Sequence, residues 1–290
     1  MTEGARRPLR LALTLPGTLW LALFLAIPGL LLCGLAFLSR GAHGEIVWQL
    51  SLGNFQRLLG FSSFGWTADY LRILVRSVVV AGVTTVVALA LAYPVAFFVA
   101  SRPPRRRSFW LALVLIPFAT NLVIRTYGWM LILAPALPPA RLARWLGLID
   151  PQGGLFPGAF ATYVGLISAA LPFAVLPLYT NVERLDPALL EAARDLYAPG
   201  WRVFRRVIVP LTLPGLTTAA FLTFVPTLGM FVVPDLLGGA RYWLIGNVIQ
   251  QQFGASRDWP FGAALGLALV VLTLAAWWIV RKKGSAGSLA

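Results

Sequence analysis

Residues 185–215 read LDPALLEAARDLYAPGWRVFRRVIVPLTLPG, a charged, helix-forming stretch between two long apolar runs. Asp186-Pro187 reads as a helix start, because Asp caps and Pro fits the first helical position. The run from Ala188 to Leu196 holds good helix formers, and Ala198-Pro199-Gly200 breaks it, since proline disfavours helical backbone in the residue before it. A second helix is expected to start near Pro199 or Gly200. It carries Arg202, Arg205 and Arg206 and enters the next apolar run through Val209-Pro210. The pattern predicts a short helix, a turn and a second helix lying at a membrane surface.

The rest of the chain supports that setting. Of 290 residues, 59% are hydrophobic and only 12% charged, with mean hydropathy +0.79. Soluble domains sit near half apolar and a quarter charged, so the composition is that of a polytopic membrane protein. A bilayer core of roughly 30 Å needs about 20 apolar residues per helix. Six stretches qualify: approximately 11–38, 78–100, 109–133, 159–180, 207–233 and 261–280. Lipid leaves no partner for open backbone groups, so all six are read as helices. The expected fold class is therefore an all-α polytopic membrane protein of six transmembrane helices. It forms a single domain over 1–290, with the charged loop at 181–206. The first stretch is long for a signal segment and is read as a retained span.

The net charge of +14 does not indicate nucleic acid, because the arginines gather at the ends of apolar runs. Six spans put both termini on one side. With that side cytoplasmic, fifteen of the 24 basic residues face inward, in clusters around Arg6, Arg102, Arg202 and Arg281. The positive-inside bias then places 181–206 in the cytoplasm. The outer loops are Ser39 to about Ser77, Ala134–Gly158 and Pro234–Pro260, with a short interfacial helix around Leu52–Leu59. Their prolines and glycines read as turns.

Several chemistries are excluded. A single cysteine, Cys33, allows no intrachain disulfide, and with one histidine, His43, a His/Cys metal cluster cannot form. No G-x-x-x-x-G-K-[ST] phosphate loop occurs. The chain therefore carries no metal site, no catalytic set and no nucleotide site of its own.

The stretch Glu191-Ala192-Ala193, followed by Val207-Ile208-Val209-Pro210, resembles the EAA loop of bacterial ABC-importer permeases. Tyr197 stands where that pattern has glycine, and Pro199-Gly200 is expected to supply the turn. Further blocks extend the likeness. They are Ala92-Tyr93-Pro94, Val123-Ile124-Arg125-Thr126-Tyr127-Gly128-Trp129, Phe231-Val232-Val233-Pro234-Asp235, Ile245-Gly246-Asn247 and Arg257-Asp258-Trp259-Pro260. Together they are similar to the spermidine/putrescine permease B family.

That resemblance implies the type I ABC importer permease fold, with the EAA helix-turn-helix as the cytoplasmic coupling element. It implies a bacterial inner-membrane location with both termini cytoplasmic. The implied partners are a homologous second permease forming a heterodimer, two copies of a cytoplasmic ABC ATPase, an external solute-binding protein and membrane lipid. ATP and Mg belong to the ATPase. The coupling residues it implies are Asp186, Leu190, Glu191, Ala192, Ala193, Arg194, Asp195, Leu196, Tyr197 and Gly200. A polyamine is a multiple cation, so its path should offer carboxylates and aromatic faces. Asp235, Tyr93, Trp129 and Phe231 are the candidates.

Other positions carry structural expectations. Asp258, ahead of Trp259-Pro260, is expected to cap the last span. Arg125 would be repelled by a cation path, and is expected to meet a carboxylate or a helix C-terminus. Gly262 and Gly266 form a G-x-x-x-G pair suited to close helix packing. The alternatives are a permease for another solute (another organic cation, an amino-acid-like compound, phosphonate, thiamine or iron) and an ion-coupled secondary transporter. Secondary transporters place acids mid-membrane, and these apolar runs hold none well inside. A membrane enzyme would need a nucleophile–base or metal set that the composition lacks.

Overall fold

The structure, a computed structural model, describes residues 14–41, 44–62, 65–151, 153–195, 199–239 and 242–286. In chain order it begins with Thr14–Ala36 (α1) and an antiparallel hairpin of Leu38–Arg40 (β1) and Ile46–Leu50 (β2). Gly53–Leu58 (α2) and a second ribbon, Phe61–Ser62 (β3) with Gly65–Trp66 (β4), follow. Then come Asp69–Ala100 (α3), Pro104–Ala119 (α4), Leu122–Ile132 (α5), Pro138–Trp145 (α6) and Ala159–Val182 (α7). The remainder is Pro187–Asp195 (α8), Gly200–Leu211 (α9), Leu213–Gly229 (α10), Val232–Gly238 (α11), Ile245–Phe253 (α12) and Trp259–Ala286 (α13).

Four helices are long and apolar enough to cross a membrane: α1, α3, α7 and α13 over Trp259–Trp278. Two pairs reach that length only together, α4 with α5, bent by 88°, and α9 with α10, bent by 75°. The expected spans 109–133 and 207–233 are thus each broken. In the first, Pro117 withdraws a backbone donor, Thr120 is extended (φ −79°, ψ 149°), and the Asn121 side chain caps α5 by accepting from the Val123 amide at 2.8 Å. In the second, Pro210 and Pro214 flank Thr212, and α10 already ends at Gly229. Two boundaries also differ from expectation. Helix α3 starts at Asp69 rather than near 78, and Val233 belongs to α11. The expected outer loops contain β1–β2, α6 and α12 as well as α2.

The chain divides into two compact units. The first takes in Met1–Leu71 and Ile249–Val271. Its small core joins Ala36, Ala263 and Ala264, flanked by Leu32, Phe55 and Phe253. The Asn54 amide donates to the carbonyls of Ala36 and Leu38 at 2.9 and 2.8 Å, which satisfies the open end of α1. The two glycines of the G-x-x-x-G pair face different neighbours. An added Cβ at Gly262 would lie 3.1 Å from Gln252 and Phe253, whereas at Gly266 it would make ordinary 3.7 Å contact with Leu32.

The second unit takes in Arg72–Val248 and Leu272–Ala290. An alanine stripe on α3, Ala88, Ala92 and Ala96, repeats every four residues and packs against Ala170 and Ala174 of α7. Small residues let apolar helices approach closely where no hydrophobic drive separates them from lipid. Helix α7 also carries α11. A Cβ at Gly165 would lie 2.5 Å from a Leu237 methyl and 2.7 Å from a Val233 methyl, so any side chain there would have to displace both. A separate cluster gathers Val80, Leu133, Leu166, Val233, Leu237 and Leu244. The connection into α12 is tied to α3, where the Ser77 hydroxyl accepts from the Ile245 amide at 2.8 Å and Arg76 donates to the Trp243 carbonyl at 2.5 Å.

Candidate functional site

The segment that opened the sequence reading forms two helices, as its punctuation implies. The Asp186 carboxylate accepts from the Ala188 amide at 2.9 Å, which caps α8. Glu191, Ala192 and Asp195 are exposed along that helix, and Ala193 is half-buried. Neither Glu191 nor Asp195 has a side-chain partner among the described residues. The side chains of Leu190 and Arg194 lie outside the described set, as do residues Leu196 and Tyr197, and so does His43. Pro199 is extended (φ −60°, ψ 147°), and its carbonyl accepts from Arg202 and Val203, which starts α9 at Gly200.

One face of α9 is fastened and the other is open. Val203 is buried, and Phe204, Ile208 and Leu185 pack onto the α3–α7 core. Trp201, Arg202, Arg205 and Arg206 are exposed. From Phe204 to Ile208 the helix widens to a π-turn. Beside the segment, Arg107 at the start of α4 pairs with Glu183 at the end of α7 at 2.7 Å. The segment thus presents a charged face on an apolar underside, with the Glu191 and Asp195 carboxylates exposed on it.

The four residues proposed for a cation path do not form one cluster. Tyr93 is buried in the α3–α7 core, and its hydroxyl lies 2.9 Å from that of Thr212. Trp129 donates its indole N–H to the Ser168 hydroxyl at 2.9 Å. It borders a cavity of about 620 Å³ among α3, α4, α5 and α7. Phe231 precedes α11, and its carbonyl accepts from Asn247 at 3.0 Å. Asp235 lies in the first turn of α11, is exposed and has no side-chain partner among the described residues. Arg125 borders the cavity and donates to the Pro117 carbonyl at 2.5 Å, so it meets a helix C-terminus, one of the two partners expected for it.

A third site lies in the other unit and was only half legible. Asp258 caps α13 through the Phe261 amide at 3.2 Å, as its place before Trp-Pro implies. It is also 2% exposed and bound by Arg57 at 2.7 Å, with Arg40 at 3.7 Å. The Arg57 guanidinium lies 4.0 Å over Phe261 and 5.7 Å from the Tyr70 ring centre. Burial works against its charge, but the hydrogen bonds to Asp258 and Tyr70 outweigh it, so its pKa lies above the ordinary arginine value. Nothing local in the sequence marks Arg57, which is 201 positions from its partner.

The family described as "Binding-protein-dependent transport system inner membrane component" matches residues 92–282. The spermidine/putrescine transport system permease protein PotB of Escherichia coli (strain K12) is 40% identical over 262 residues, covering 89% of this chain and 93% of that protein. Its counterpart in Haemophilus influenzae is 38% identical over 253 residues, covering 87% and 86%. Among solved structures, a bacterial ABC transporter that imports the acidic polysaccharide alginate aligns over 96% of both chains with a TM-score of 0.68 at 17% identity, which is a likeness of fold.

Proposed function

Because the chain belongs to the family of binding-protein-dependent transport system inner membrane components, we propose that it is the permease subunit of an ATP-driven polyamine importer. It is a transport subunit and not an enzyme, and ATP hydrolysis resides in a separate ATPase. The observation that carries the polyamine reading is the identity to spermidine/putrescine permeases along nearly their whole length. A shared fold alone would not carry it, because the alginate importer has the same fold and takes an acidic solute.

In this reading α8 and α9 face the cytoplasm with both termini. Two copies of the ATPase serve the transporter, one docked on this chain and one on a homologous second permease. An external solute-binding protein delivers the solute. Asp186, Leu190, Glu191, Ala192, Ala193, Arg194, Asp195, Leu196, Tyr197 and Gly200 make the docking surface on this chain. Glu191 and Asp195, exposed and without a side-chain partner among the described residues, support that role, since they offer charge to a partner. Closure of the ATPases on ATP and Mg moves this segment, and the spans switch access from outside to inside. Asp235, whose carboxylate has no side-chain partner among the described residues, would meet an ammonium group, and Trp129 and Phe231 are the further path candidates, whereas Tyr93, buried with its hydroxyl on Thr212, is not placed on the path.

The test is uptake by the reconstituted transporter: this chain, its second permease, ATPase and binding protein in proteoliposomes. Labelled spermidine or putrescine should accumulate only with ATP inside and binding protein outside. A binding protein that ignores both polyamines and takes an anion would refute the polyamine reading.

A further inference from the structure

We propose that Tyr93 and Thr212 form the fulcrum about which motion of α8 and α9 turns α10; the inference rests on the coupling role proposed above. Thr212 is the single residue between α9 and α10, at the 75° bend. Pro214 has no N–H to give the Pro210 carbonyl, so the regular helical ladder is interrupted across the bend. Thr212 itself sits at φ −93°, ψ 4°, outside the helical well. The preceding turn, Phe204–Ile208, is a π-turn. The ladder keeps the Thr212 amide on the Ile208 carbonyl and the Leu216 amide on the Thr212 carbonyl, both at 2.9 Å, but lacks the rung at Pro210, so side chains from neighbouring helices share in holding the angle.

Thr212 is fully buried. Its hydroxyl has one hydrogen, and the Ile208 carbonyl takes it at 2.8 Å. The Tyr93 hydroxyl, 2.9 Å away, is then the donor to Thr212. The Tyr93 ring also meets Phe204 edge-on, with centroids 5.4 Å apart, and lies near-parallel to Phe97 at 6.4 Å. One side chain of α3 thus holds the start of the widened turn, Phe204, through its ring and the bend itself, Thr212, through its hydroxyl. The alanine stripe locks α3 to α7. Three residues past Thr212, a Cβ on Gly215 would lie 2.3 Å from the Asn181 amide, so the start of α10 is pressed against α7 as well. With the bend pinned, a push on α8 and α9 does not slide Thr212 along the core. It rotates α10 about that point. Tyr93 is in this view a positioning residue whose hydroxyl acts through α10.

The test uses the complete transporter in proteoliposomes, with labelled spermidine as probe and ATP hydrolysis read in the same vesicles. Tyr93→Phe removes the donor and keeps the ring. The expected result is an assembled complex that still hydrolyses ATP but moves about threefold less solute per ATP, the shift one membrane-protein hydrogen bond carries. Thr212→Val gives the same loss, Thr212→Ser keeps the hydroxyl and restores the ratio, and the double variant is no worse than either single one. An unchanged ratio in Tyr93→Phe, its absence from the purified complex, or losses that multiply in the double variant would each overturn the fulcrum. Glu191→Lys is measured alongside. Normal uptake there refutes the coupling role itself, whereas lost uptake there with an unchanged Tyr93→Phe refutes the fulcrum alone.

Discussion

Removing the Asp258 carboxylate by Asp258→Ala tests how the first unit is held at the start of α13. That side chain is 2% exposed and serves Arg57 at 2.7 Å, Arg40 at 3.7 Å and the Phe261 amide at 3.2 Å. A charge-assisted hydrogen bond is worth about 1.5–3 kcal/mol. Both arginines are 41% exposed, so solvent screening places the ion-pair share at about 1.5 kcal/mol. Loss of the helix cap adds about 1 kcal/mol. Asp258→Ala should therefore destabilise by about 2.5 kcal/mol, and Asp258→Asn, which keeps a cap acceptor, by about 1.5 kcal/mol.

At about 2–4 °C per kcal/mol for a domain of comparable size, the alanine variant should melt about 5–10 °C lower and the asparagine variant about 3–6 °C lower. The assay is thermal denaturation of the purified transporter in detergent, read as loss of the monodisperse species. Because both arginines are partly exposed, high salt should narrow the gap to wild type by part of the ion-pair share and leave the capping share in place. An alanine variant within about 1 °C of wild type would refute the ion-pair reasoning. An asparagine variant as unstable as alanine would remove the capping term, since both would then owe everything to charge.

Three further outcomes are expected. Gly165→Leu should prevent stable assembly, because even one added carbon lies 2.5 Å from Leu237; band intensity of the chain in isolated membranes reads this directly. Asp235→Asn should raise the spermidine concentration for half-maximal uptake several-fold with normal expression, about the tenfold or less that one exposed ion pair supplies; unchanged concentration dependence removes Asp235 from the path. Arg107→Ala should change stability by only about 0.5 kcal/mol, since both Arg107 and Glu183 are partly exposed, at 27% and 37%. A loss of several kcal/mol would mean the pair does more than bridge α4 to α7.

Local punctuation was legible where one or two residues decide the backbone. Asp186-Pro187 forecast the start of α8, Pro199-Gly200 the start of α9, and Asp258 the cap on α13, and each signal acts through a neighbour within three residues. Hydropathy marked all six apolar runs but not their continuity. It averages over Pro117-Phe118-Ala119-Thr120-Asn121, whose proline and capping asparagine end one helix and begin another. Residues that act across long separations left no trace. Thr212 reads as one more small residue in an apolar run until α3 brings Tyr93 to it across 119 positions. Tyr93 and Trp129 are singled out by chemical type, and type does not show that their hydroxyl and indole meet Thr212 and Ser168 in the fold.

The two bends share a hydrogen-bond logic that explains why they can occur in such apolar sequence. Breaking a helix frees carbonyls that hydrocarbon cannot satisfy, so a break survives there only if side chains take over. At the first bend the Pro117 carbonyl accepts from Arg125 at 2.5 Å and from the Thr120 hydroxyl at 2.7 Å, while Asn121 receives the Val123 amide. At the second, Thr212 serves the Ile208 carbonyl and Tyr93 serves Thr212. At the first bend side chains answer a carbonyl that the break frees, whereas at the second the Ile208 carbonyl keeps the Thr212 amide at 2.9 Å and gains the Thr212 hydroxyl as a further donor. The two sets differ in where they come from. The first is supplied by residues within eight positions of Pro117 and needs no other helix. The second depends on α3. A bend held by its own chain keeps its shape when neighbouring helices move, whereas one held by another helix changes when that helix does. That difference is consistent with the fulcrum proposed at the α9–α10 bend, and the α4–α5 bend, held by its own residues, has no such dependence on a neighbouring helix.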